Sequence, residues 1–322
     1  MANILVTGGA GYIGSHMAEM LYQEGHNVIV YDNLLTGHKK LVLNAKLIVA
    51  DLADAFSLEE CFTRFKFDAV MHFASSIDVA ESIQKPAKYY RNNVVNGINL
   101  LDIMLKHGVK KLVFSSSAAV YGEAKMQPQP LSPYGYSKLI FERLLQDYDY
   151  AYGLKSIAFR YFNAAGADPD GRLGELHNPE IHLIPLVLQV ASGRKANISI
   201  YGNDYPTSDG TCVRDYVHVV DLCKAHLLAF DALNNGAKSQ AYDLGCGSGY
   251  SVLEVIKCAR QVTAKEIPII VQSRREGDPA TLVADTTAAK KELGWQPQFS
   301  NLLTIIEHAW NWEQTINALQ LL

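Results

Sequence analysis

Short runs of apolar, often β-branched residues alternate with amphipathic stretches along the first half of the chain. The runs, each of a length suited to a buried strand, are 4–7, 28–31, 47–50, 69–73, 112–115 and 157–160. Between them apolar residues recur at helical spacing, as they do through the segment 137–152. Crossovers of this length are too long for hairpins and favour parallel pairing. The pattern predicts an α/β fold with a Rossmann-type, doubly wound parallel sheet covered by helices.

The pattern changes after Asn163, where Gly, Asp and Pro become frequent between positions 166 and 174. We therefore predict a Rossmann-type domain over residues 1–163 and a smaller C-terminal α/β domain over residues 164–322. The boundary is soft, because the apolar segments 217–220 and 241–244 are also suited to join the first sheet.

Composition narrows the class of partner. The 322 residues carry 29 Lys and Arg against 33 Asp and Glu, a net charge of -4, so no basic field favours nucleic acid. The N-terminus lacks a signal-peptide pattern and no apolar run reaches about 18 residues, so we expect a cytoplasmic protein without membrane association. The five cysteines are scattered and form no CxxC pair, so we expect reduced thiols and no metal site.

A glycine motif follows the first predicted strand directly. Gly8, Gly11 and Gly14 form GxxGxxG at the start of a helix, where glycines let backbone N–H groups and the helix dipole approach a pyrophosphate. Asp32 ends the second strand, where a carboxylate binds a ribose hydroxyl and repels a 2′-phosphate. The arrangement favours NAD over NADP. A glycine-rich turn that holds no ligand is the alternative.

Two further strands end in residues at the ligand-binding edge of the sheet. Asp51 and Leu52 follow the third strand, and Phe73 and Ala74 follow the fourth. Asp51 is placed to hold an adenine amino group. Spacing alone leaves an ordinary solvated loop acid equally open.

A tyrosine and a lysine four residues apart open a predicted helix after the fifth strand, which ends in Ser117. Tyr134 and Lys138 would share one helical face, and an ammonium there would lower the pKa of the phenol and make it a general base. Tyr121 and Lys125 have the same spacing. We prefer Tyr134, because a proline precedes it and an amphipathic stripe follows it.

A larger pattern connects these motifs with the second half of the chain. It consists of the stretches TGGAGYIGSH, YDNL, FSSSAAVYGE, SPYGYSK, RYFNAAGAD, GNDYPTSDGTCVRDYVHV and RREGDPATLVAD. Together they resemble the UDP-sugar 4-epimerases of the extended short-chain dehydrogenase/reductase family along essentially the whole chain. The stretch 201–219 is the most specific part, because it lies in the C-terminal domain. The resemblance implies that this domain, residues 164–322, binds the UDP-sugar and that the Rossmann domain, residues 1–163, binds NAD.

The resemblance implies roles for matching positions. Tyr134 is the catalytic base, Lys138 its partner and Ser117 a second hydrogen-bonding group at the sugar O4. NAD would contact Gly8, Gly11, Tyr12, Ile13, Gly14, Asp32, Asn33, Asp51, Leu52, Phe73, Ala74, Asn93, Tyr134, Lys138 and Tyr161. The UDP-sugar would contact Ser117, Tyr134, Asn163, His182, Tyr201, Arg214, Arg275, Asp278 and Leu282. For His182, a backbone contact to uridine and a simply packed histidine stay open.

The resemblance also implies an activity, which is interconversion of UDP-glucose and UDP-galactose through a 4-keto intermediate with tightly bound NAD. Ala118 and Ala119 stand where dehydratases carry acidic residues, so elimination is disfavoured. Leu282 is intermediate in size at a position linked to the sugar C2 substituent, so UDP-N-acetylhexosamines are a second expected substrate.

Three further implications and alternatives remain. The family implies a homodimer built from the helices near 86–107 and 137–152. A 4-epimerase of UDP-uronic acids or another nucleotide sugar is an alternative function. A non-catalytic NAD-binding module is a second alternative, disfavoured by the intact Ser117, Tyr134 and Lys138.

Overall fold

The computed structural model describes residues 1–122, 127–275 and 278–319. Within these residues the strands are β1 (Asn3–Thr7), β2 (Asn27–Asp32), β3 (Lys46–Val49), β4 (Ala69–His72), β5 (Lys111–Ser117), β6 (Lys155–Tyr161), β7 (Asn163–Ala165), β8 (Ile198–Tyr201), β9 (Val213–His218), β10 (Gln240–Leu244), β11 (Gly249–Ser251), β12 (Ile269–Gln272) and β13 (Thr281–Leu282). The helices are α1 (Tyr12–Gln23), α2 (Ala55–Arg64), α3 (Val79–Gln84), α4 (Pro86–Tyr90), α5 (Asn96–Lys106), α6 (Pro133–Tyr152), α7 (Leu183–Ala191), α8 (Val219–Asn234), α9 (Val252–Thr263), α10 (Thr287–Leu293) and α11 (Leu302–Leu319).

The main sheet carries the strand order β10-β6-β5-β4-β1-β2-β3. Neighbours from β3 through β6 all pair in parallel. The order reverses between β1 and β4, which is the switch point at which open α/β sheets bind dinucleotides. The predicted Rossmann-type α/β fold is confirmed.

The apolar runs of the sequence form this sheet because its central strands are buried. Leu5 in β1, Val70 in β4 and Leu112 in β5 are all 0% exposed and belong to one hydrophobic cluster. A parallel strand covered on both faces reads as a continuous apolar run rather than as an alternating one. Because these strands are parallel, their carboxyl ends all lie at one edge of the sheet, and the candidate NAD-binding residues follow those ends.

The chain divides into two compact units. Unit 1 comprises Met1–Tyr161, Cys223–Asp243 and Lys291–Trp295, and unit 2 comprises Phe162–Leu222, Leu244–Lys290 and Gln296–Leu322. The segment 241–244 lies in β10 and joins the main sheet, whereas the segment 217–220 lies in β9 and the start of α8.

Unit 2 contains a separate core. Strand β9 pairs with β7, β11 and β13, and β8 pairs with β12. Helices α7, α9 and α11 pack together through Val187, Ile256 and Ile305, each 0% exposed. The strands of unit 2 carry four of the predicted UDP-binding residues: Asn163 on β7, Tyr201 on β8, Arg214 on β9 and Leu282 on β13.

All five cysteines are free thiols, as the sequence predicts. Across the described ranges, no helix has both the length and the apolar character needed to cross a bilayer.

Candidate active site

The turn between β1 and α1 is shaped so that backbone atoms lie very close together. Gly8 has φ of 70°, and a Cβ on it would lie 2.5 Å from the Ala74 backbone nitrogen at the end of β4. A Cβ on Gly14 would lie 2.2 Å from the Gly8 carbonyl oxygen, closer than any real contact. A Cβ on Gly11 would meet the same oxygen at 3.4 Å, an ordinary distance. The fold therefore requires glycine at 8 and 14, whereas at Gly11 it has room for a methyl group.

Helix α1 begins at Tyr12 with backbone donors turned toward this loop. Its N-cap residue is Gly11, and no described side chain caps the first turn. The first-turn N–H groups, with the positive end of the helix dipole, form an anion site that fits a pyrophosphate. Tyr12 and Ile13 thus lie where the sequence places NAD contacts.

Asp32 ends β2 beside the same turn and helps to hold it. Its two carboxylate oxygens accept hydrogen bonds from the backbone N–H of Ala10 at 2.9 Å and of Leu34 at 2.8 Å. Burial raises the pKa of this carboxyl group, and the two backbone bonds oppose that effect. A carboxylate oxygen has a second lone pair, so Asp32 can also accept from a ribose hydroxyl.

Asp51 is hydrogen-bonded within its loop. Its Oδ2 accepts from the Asn33 side chain at 2.6 Å, and its Oδ1 accepts from the Ala53 N–H at 2.8 Å. Leu52, the next residue, is buried, and its carbonyl accepts from Asn99. The structure brings the predicted residues Asn33, Asp51 and Leu52 together. Adenine recognition by Asp51 stays a prediction.

Tyr134 lies in the first turn of α6, which its neighbours position. Ser132 is the N-cap, accepting a hydrogen bond from the Gly135 N–H at 3.2 Å, and Pro133 occupies the first helical position. The phenol is buried and hydrogen-bonded to the Ser117 hydroxyl at the end of β5. Burial raises the pKa of Tyr134, and the Ser117 hydrogen bond lowers it.

Lys138 lies one helical turn further along α6, on the same face as Tyr134. Its Nζ donates to the Ser115 carbonyl oxygen at 2.8 Å and lies 5.8 Å from the centre of the Tyr134 ring. Burial lowers the pKa of Lys138 to about 7. The sequence predicts that Lys138 lowers the pKa of Tyr134. In the protein without a bound cofactor, the group that lowers this pKa is Ser117.

Tyr121, the alternative base, belongs to a partly buried network of polar side chains. Its hydroxyl donates to Asp243 Oδ1 at 2.8 Å and accepts from Arg160 at 2.7 Å, and burial raises its pKa to about 12. Its sequence partner Lys125 lies outside the described residues. A phenol held by two partners is a poor proton acceptor, so the geometry favours Tyr134.

Two other predicted NAD residues have partners that sequence reasoning missed. The Asn93 side chain donates to the Ser137 hydroxyl at 3.0 Å and to the Ser76 carbonyl at 3.0 Å. Tyr161 is hydrogen-bonded to His226 Nε2 at 2.6 Å. These partners lie 17 to 65 positions away in the chain, so the local sequence pattern does not predict the hydrogen bonds.

Four of the predicted UDP-binding residues of unit 2 contact one another in two pairs, Arg275 with Tyr201 and Arg214 with Asp278. A fifth, Leu282, lies beside Arg214 on a neighbouring strand. The Arg275 guanidinium carbon is 3.9 Å from the centre of the Tyr201 ring. Arg214 forms an ion pair with Asp278, and its backbone is in register with Leu282, since β13 pairs with β9. The structure therefore places Leu282 directly beside Arg214.

The remaining two predicted residues of unit 2 are already engaged. Asn163 donates from its side chain to the Asp215 carbonyl at 2.8 Å. The imidazole of His182 lies 2.6 Å from Glu175 Oε1 and 3.2 Å from Glu180 Oε1. The His182 side chain is thus paired with two carboxylates and is not simply packed among apolar groups. A contact between the His182 backbone and uridine stays a prediction.

Comparisons with known proteins agree on one family. The family model described as NAD dependent epimerase/dehydratase family matches residues 4–245. A UDP-glucose 4-epimerase of Lacticaseibacillus casei is 49% identical over 97% of this chain and 96% of its own length.

Solved structures of similar proteins include ligand complexes. The UDP-glucose 4-epimerase of Bifidobacterium longum with NAD+ and UDP is 38% identical, with a TM-score of 0.91 over 97% of this chain and 98% of its own. The UDP-Glc/GlcNAc 4-epimerase of Campylobacter jejuni is 40% identical, with a TM-score of 0.85 over 98% of this chain and 100% of its own.

Proposed function

The chain belongs to the NAD dependent epimerase/dehydratase family, and we propose that it interconverts UDP-glucose and UDP-galactose by epimerisation at C4, with NAD as its cofactor. The proposal rests on the buried phenol of Tyr134, in the first turn of α6. This phenol is hydrogen-bonded to Ser117, and Lys138 lies one helical turn away from it. The glycine turn and Asp32 in the same unit fit NAD.

Each catalytic residue handles a proton or an oxygen atom of the sugar. Tyr134, as the phenolate, accepts the proton of the C4 hydroxyl and later returns it, while Ser117 donates a hydrogen bond at O4. NAD, when bound, supplies the hydride acceptor and donor at C4 and a positive charge on its oxidised ring. Lys138 would hold the nicotinamide ribose.

Stereochemical inversion requires the 4-keto sugar to turn over before a hydride returns to C4, because the face that receives the hydride sets the configuration at that carbon. The sugar would rotate about its bond to the diphosphate and expose its other face to the hydride, while Tyr134 would return the proton to O4. Ala118 and Ala119, which follow Ser117 in a short 3-10 helix, offer no acid to expel a hydroxyl group. These residues suit redox at C4 and not dehydration.

Residues of unit 2 would hold the UDP group. Arginine pairs with phosphate oxygens through two parallel N–H bonds, which suits Arg214 and Arg275 to the diphosphate. Asp278 already pairs with Arg214 and would keep its guanidinium oriented. Tyr201, 38% exposed at the end of β8, offers a ring face that would border the uracil. Asn163 and the His182 backbone complete the proposed set.

A second activity on UDP-N-acetylhexosamines is favoured by Leu282. This side chain is smaller than an aromatic ring and lies beside Arg214 in the β9–β13 register. A C2 N-acetyl group needs space that an aromatic side chain would fill. The similar Campylobacter jejuni protein is described as a UDP-Glc/GlcNAc 4-epimerase.

The two units would divide the work, unit 1 binding NAD and unit 2 binding the UDP-sugar, and two copies would form a homodimer. Exposed apolar side chains on the predicted dimer helices support the second point: Val95 is 51% exposed, Ile140 39% and Tyr136 44%. Sedimentation analysis of the wild type and of Ile140→Glu tests it, with a dimer expected only for the wild type. A wild-type monomer would refute it.

We also propose a cytoplasmic location. Five free thiols are typical of proteins kept in a reducing compartment. Cell fractionation with an antibody to the protein checks this.

The decisive experiment incubates purified protein with UDP-galactose, without added cofactor, and follows the sugar signals by NMR. Appearance of UDP-glucose, stopping at an equilibrium mixture, is expected. No conversion, even after NAD is added, would refute the proposal. Tight NAD without turnover would then point to the non-catalytic module, whereas turnover of a UDP-uronic acid alone would identify a different epimerase.

A further inference from the structure

Four potential metal ligands lie together in unit 2, in the loop between β7 and α7. They are Glu175, His177, Glu180 and His182, spaced as Glu-x-His-x-x-Glu-x-His. One ligand atom from each lies within 4.8 Å of those of the other three. The carboxylates are almost fully buried, with side chains 5% and 4% exposed.

The carboxylate oxygens and imidazole nitrogens of this cluster lie at ion-pair distance from one another, and His182 Nδ1 is hydrogen-bonded to Glu180 Oε1 at 3.2 Å. Glu175 Oε1 lies 2.9 Å from His177 Nδ1 and 2.6 Å from His182 Nδ1. Yet among the described residues neither Glu175 Oε1 nor His177 Nδ1 has a partner in hydrogen-bond geometry. A buried carboxylate oxygen and a buried imidazole nitrogen left in this way cost free energy unless another species satisfies both.

We propose that Glu175, His177, Glu180 and His182 bind a zinc ion. Bonds of about 2.0–2.2 Å in a tetrahedral shell separate neighbouring ligand atoms by about 3.3 Å. The distances from the two imidazole nitrogens to Oε1 of the two glutamates, 2.6, 2.9, 3.2 and 3.9 Å, bracket that value. Glu175, His177 and Glu180 also line a cavity of about 20 Å³, which has room for one small ion.

The donor set favours zinc over magnesium and calcium. Two imidazoles with two carboxylates suit zinc, whereas magnesium and calcium prefer shells made of oxygen alone. Four protein ligands leave no open position, so the ion would be structural and not catalytic.

Outer contacts hold the ligands in place, as they do in metal sites. Two backbone hydrogen bonds orient the Glu180 carboxylate: its Oε1 accepts from the Ile181 N–H at 2.8 Å and from the His182 N–H at 2.9 Å, so Oε2 would be the oxygen that binds the ion. The buried Trp312 of α11 donates from its indole to the Glu175 carbonyl at 2.7 Å. The zinc ion would fasten the loop that leads into α7 onto this helical core.

The first test measures zinc in the full-length protein, purified with its tag removed. Elemental analysis after dialysis against zinc and then metal-free buffer should find about one ion per chain. Replacement by Co²⁺ should give the intense visible absorption of a four-coordinate site. Absence of zinc, or a weak octahedral cobalt spectrum, would overturn the proposal.

Variants then assign the ion to these residues. Glu175→Gln and His177→Gln should each weaken zinc binding by at least about 100-fold, while Glu266→Gln, an exposed glutamate of the same unit, should bind as the wild type does. Full zinc binding in folded Glu175→Gln and His177→Gln would overturn the assignment. If these variants do not fold, chelation of the wild type should lower its Tm by at least about 3 °C, with recovery on adding zinc. An unchanged Tm would count against the proposal.

The zinc proposal does not rest on the proposed function, and it can be tested apart from NAD binding because the proposed NAD-binding residues lie in unit 1 and the cluster lies in unit 2. Bound NAD, read from its absorbance after denaturation, should stay unchanged in Glu175→Gln.

Discussion

In the proposed reaction, the phenol oxygen of Tyr134 accepts the proton of the C4 hydroxyl group. Tyr134→Phe removes the proton acceptor and keeps the ring, so we expect kcat to fall by about 10²- to 10⁴-fold. Bound NAD and Tm should change little. Tyr150→Phe, on the same helix but 96% exposed, is the matched control. Activity above a tenth of wild type in Tyr134→Phe would place the base elsewhere.

Ser117 changes the pKa of Tyr134, and the pH dependence of kcat measures this effect. Tyr134 accepts a proton only when deprotonated, so kcat falls as pH drops through its pKa. The Ser117 hydrogen bond lowers this pKa. Ser117→Ala should therefore raise it and move the acid limb of the kcat profile to higher pH, with recovery at still higher pH. Ser117→Thr should restore the profile. An unmoved acid limb in Ser117→Ala would mean that the two hydroxyls do not interact during the reaction.

The side chain at position 282 sets the space beside Arg214. Leu282→Tyr should lower turnover of UDP-N-acetylgalactosamine by about 10-fold or more, a value typical of a lost pocket contact, while UDP-galactose turnover stays within about 2-fold. Parallel assays of both substrates measure the ratio. An unchanged ratio would remove Leu282 from the substrate-binding set.

At the scale of elements, the β1–α1 turn separates glycines needed for folding from a glycine needed for the ligand. Gly14→Ala places a Cβ 2.2 Å from a backbone oxygen, so we expect a loss of stability of about 1–3 kcal/mol together with lost NAD. Gly11→Ala has 3.4 Å and should keep the wild-type Tm but bind NAD at least about 10-fold more weakly, because its methyl group would stand at the start of α1, where the pyrophosphate is expected to bind. Thermal unfolding and bound-NAD content distinguish the two. Wild-type NAD content in Gly11→Ala would contradict this division.

How far the sequence predicts these elements depends on how local the cause is. The sheet was predictable because buried parallel strands read as apolar runs, and the glycine turn because its residues are adjacent. The hydrogen bond from Asn93 to Ser137 was not predictable, because tertiary packing alone brings α6 to that side chain. The effect on the Tyr134 pKa was missed for a related reason, since spacing places Lys138 on the right face but gives neither its burial nor its bond to Ser115.

At the scale of the whole molecule, unit 1 is not continuous in sequence. Strand β10 lies beside β6 in the main sheet, so a chain cut at residue 163 would leave β6 as an open edge. Phe159 of β6 is 0% exposed, and its ring lies 4.9 Å from that of His226. Removing residues 223–243 would therefore expose apolar surface and break the hydrogen bonds of Tyr161 and Tyr121.

We accordingly expect the fragment 1–163 to aggregate or to lack fixed tertiary packing, although it contains every predicted NAD-binding residue. Size-exclusion chromatography and near-UV circular dichroism measure this, and the full-length chain is the reference. A second fragment, in which a short linker joins residues 223–243 after residue 163, should be soluble and unfold cooperatively to a greater extent, because it restores most of β10. A fragment 1–163 that unfolds cooperatively and binds NAD would show that the first unit needs neither returning segment.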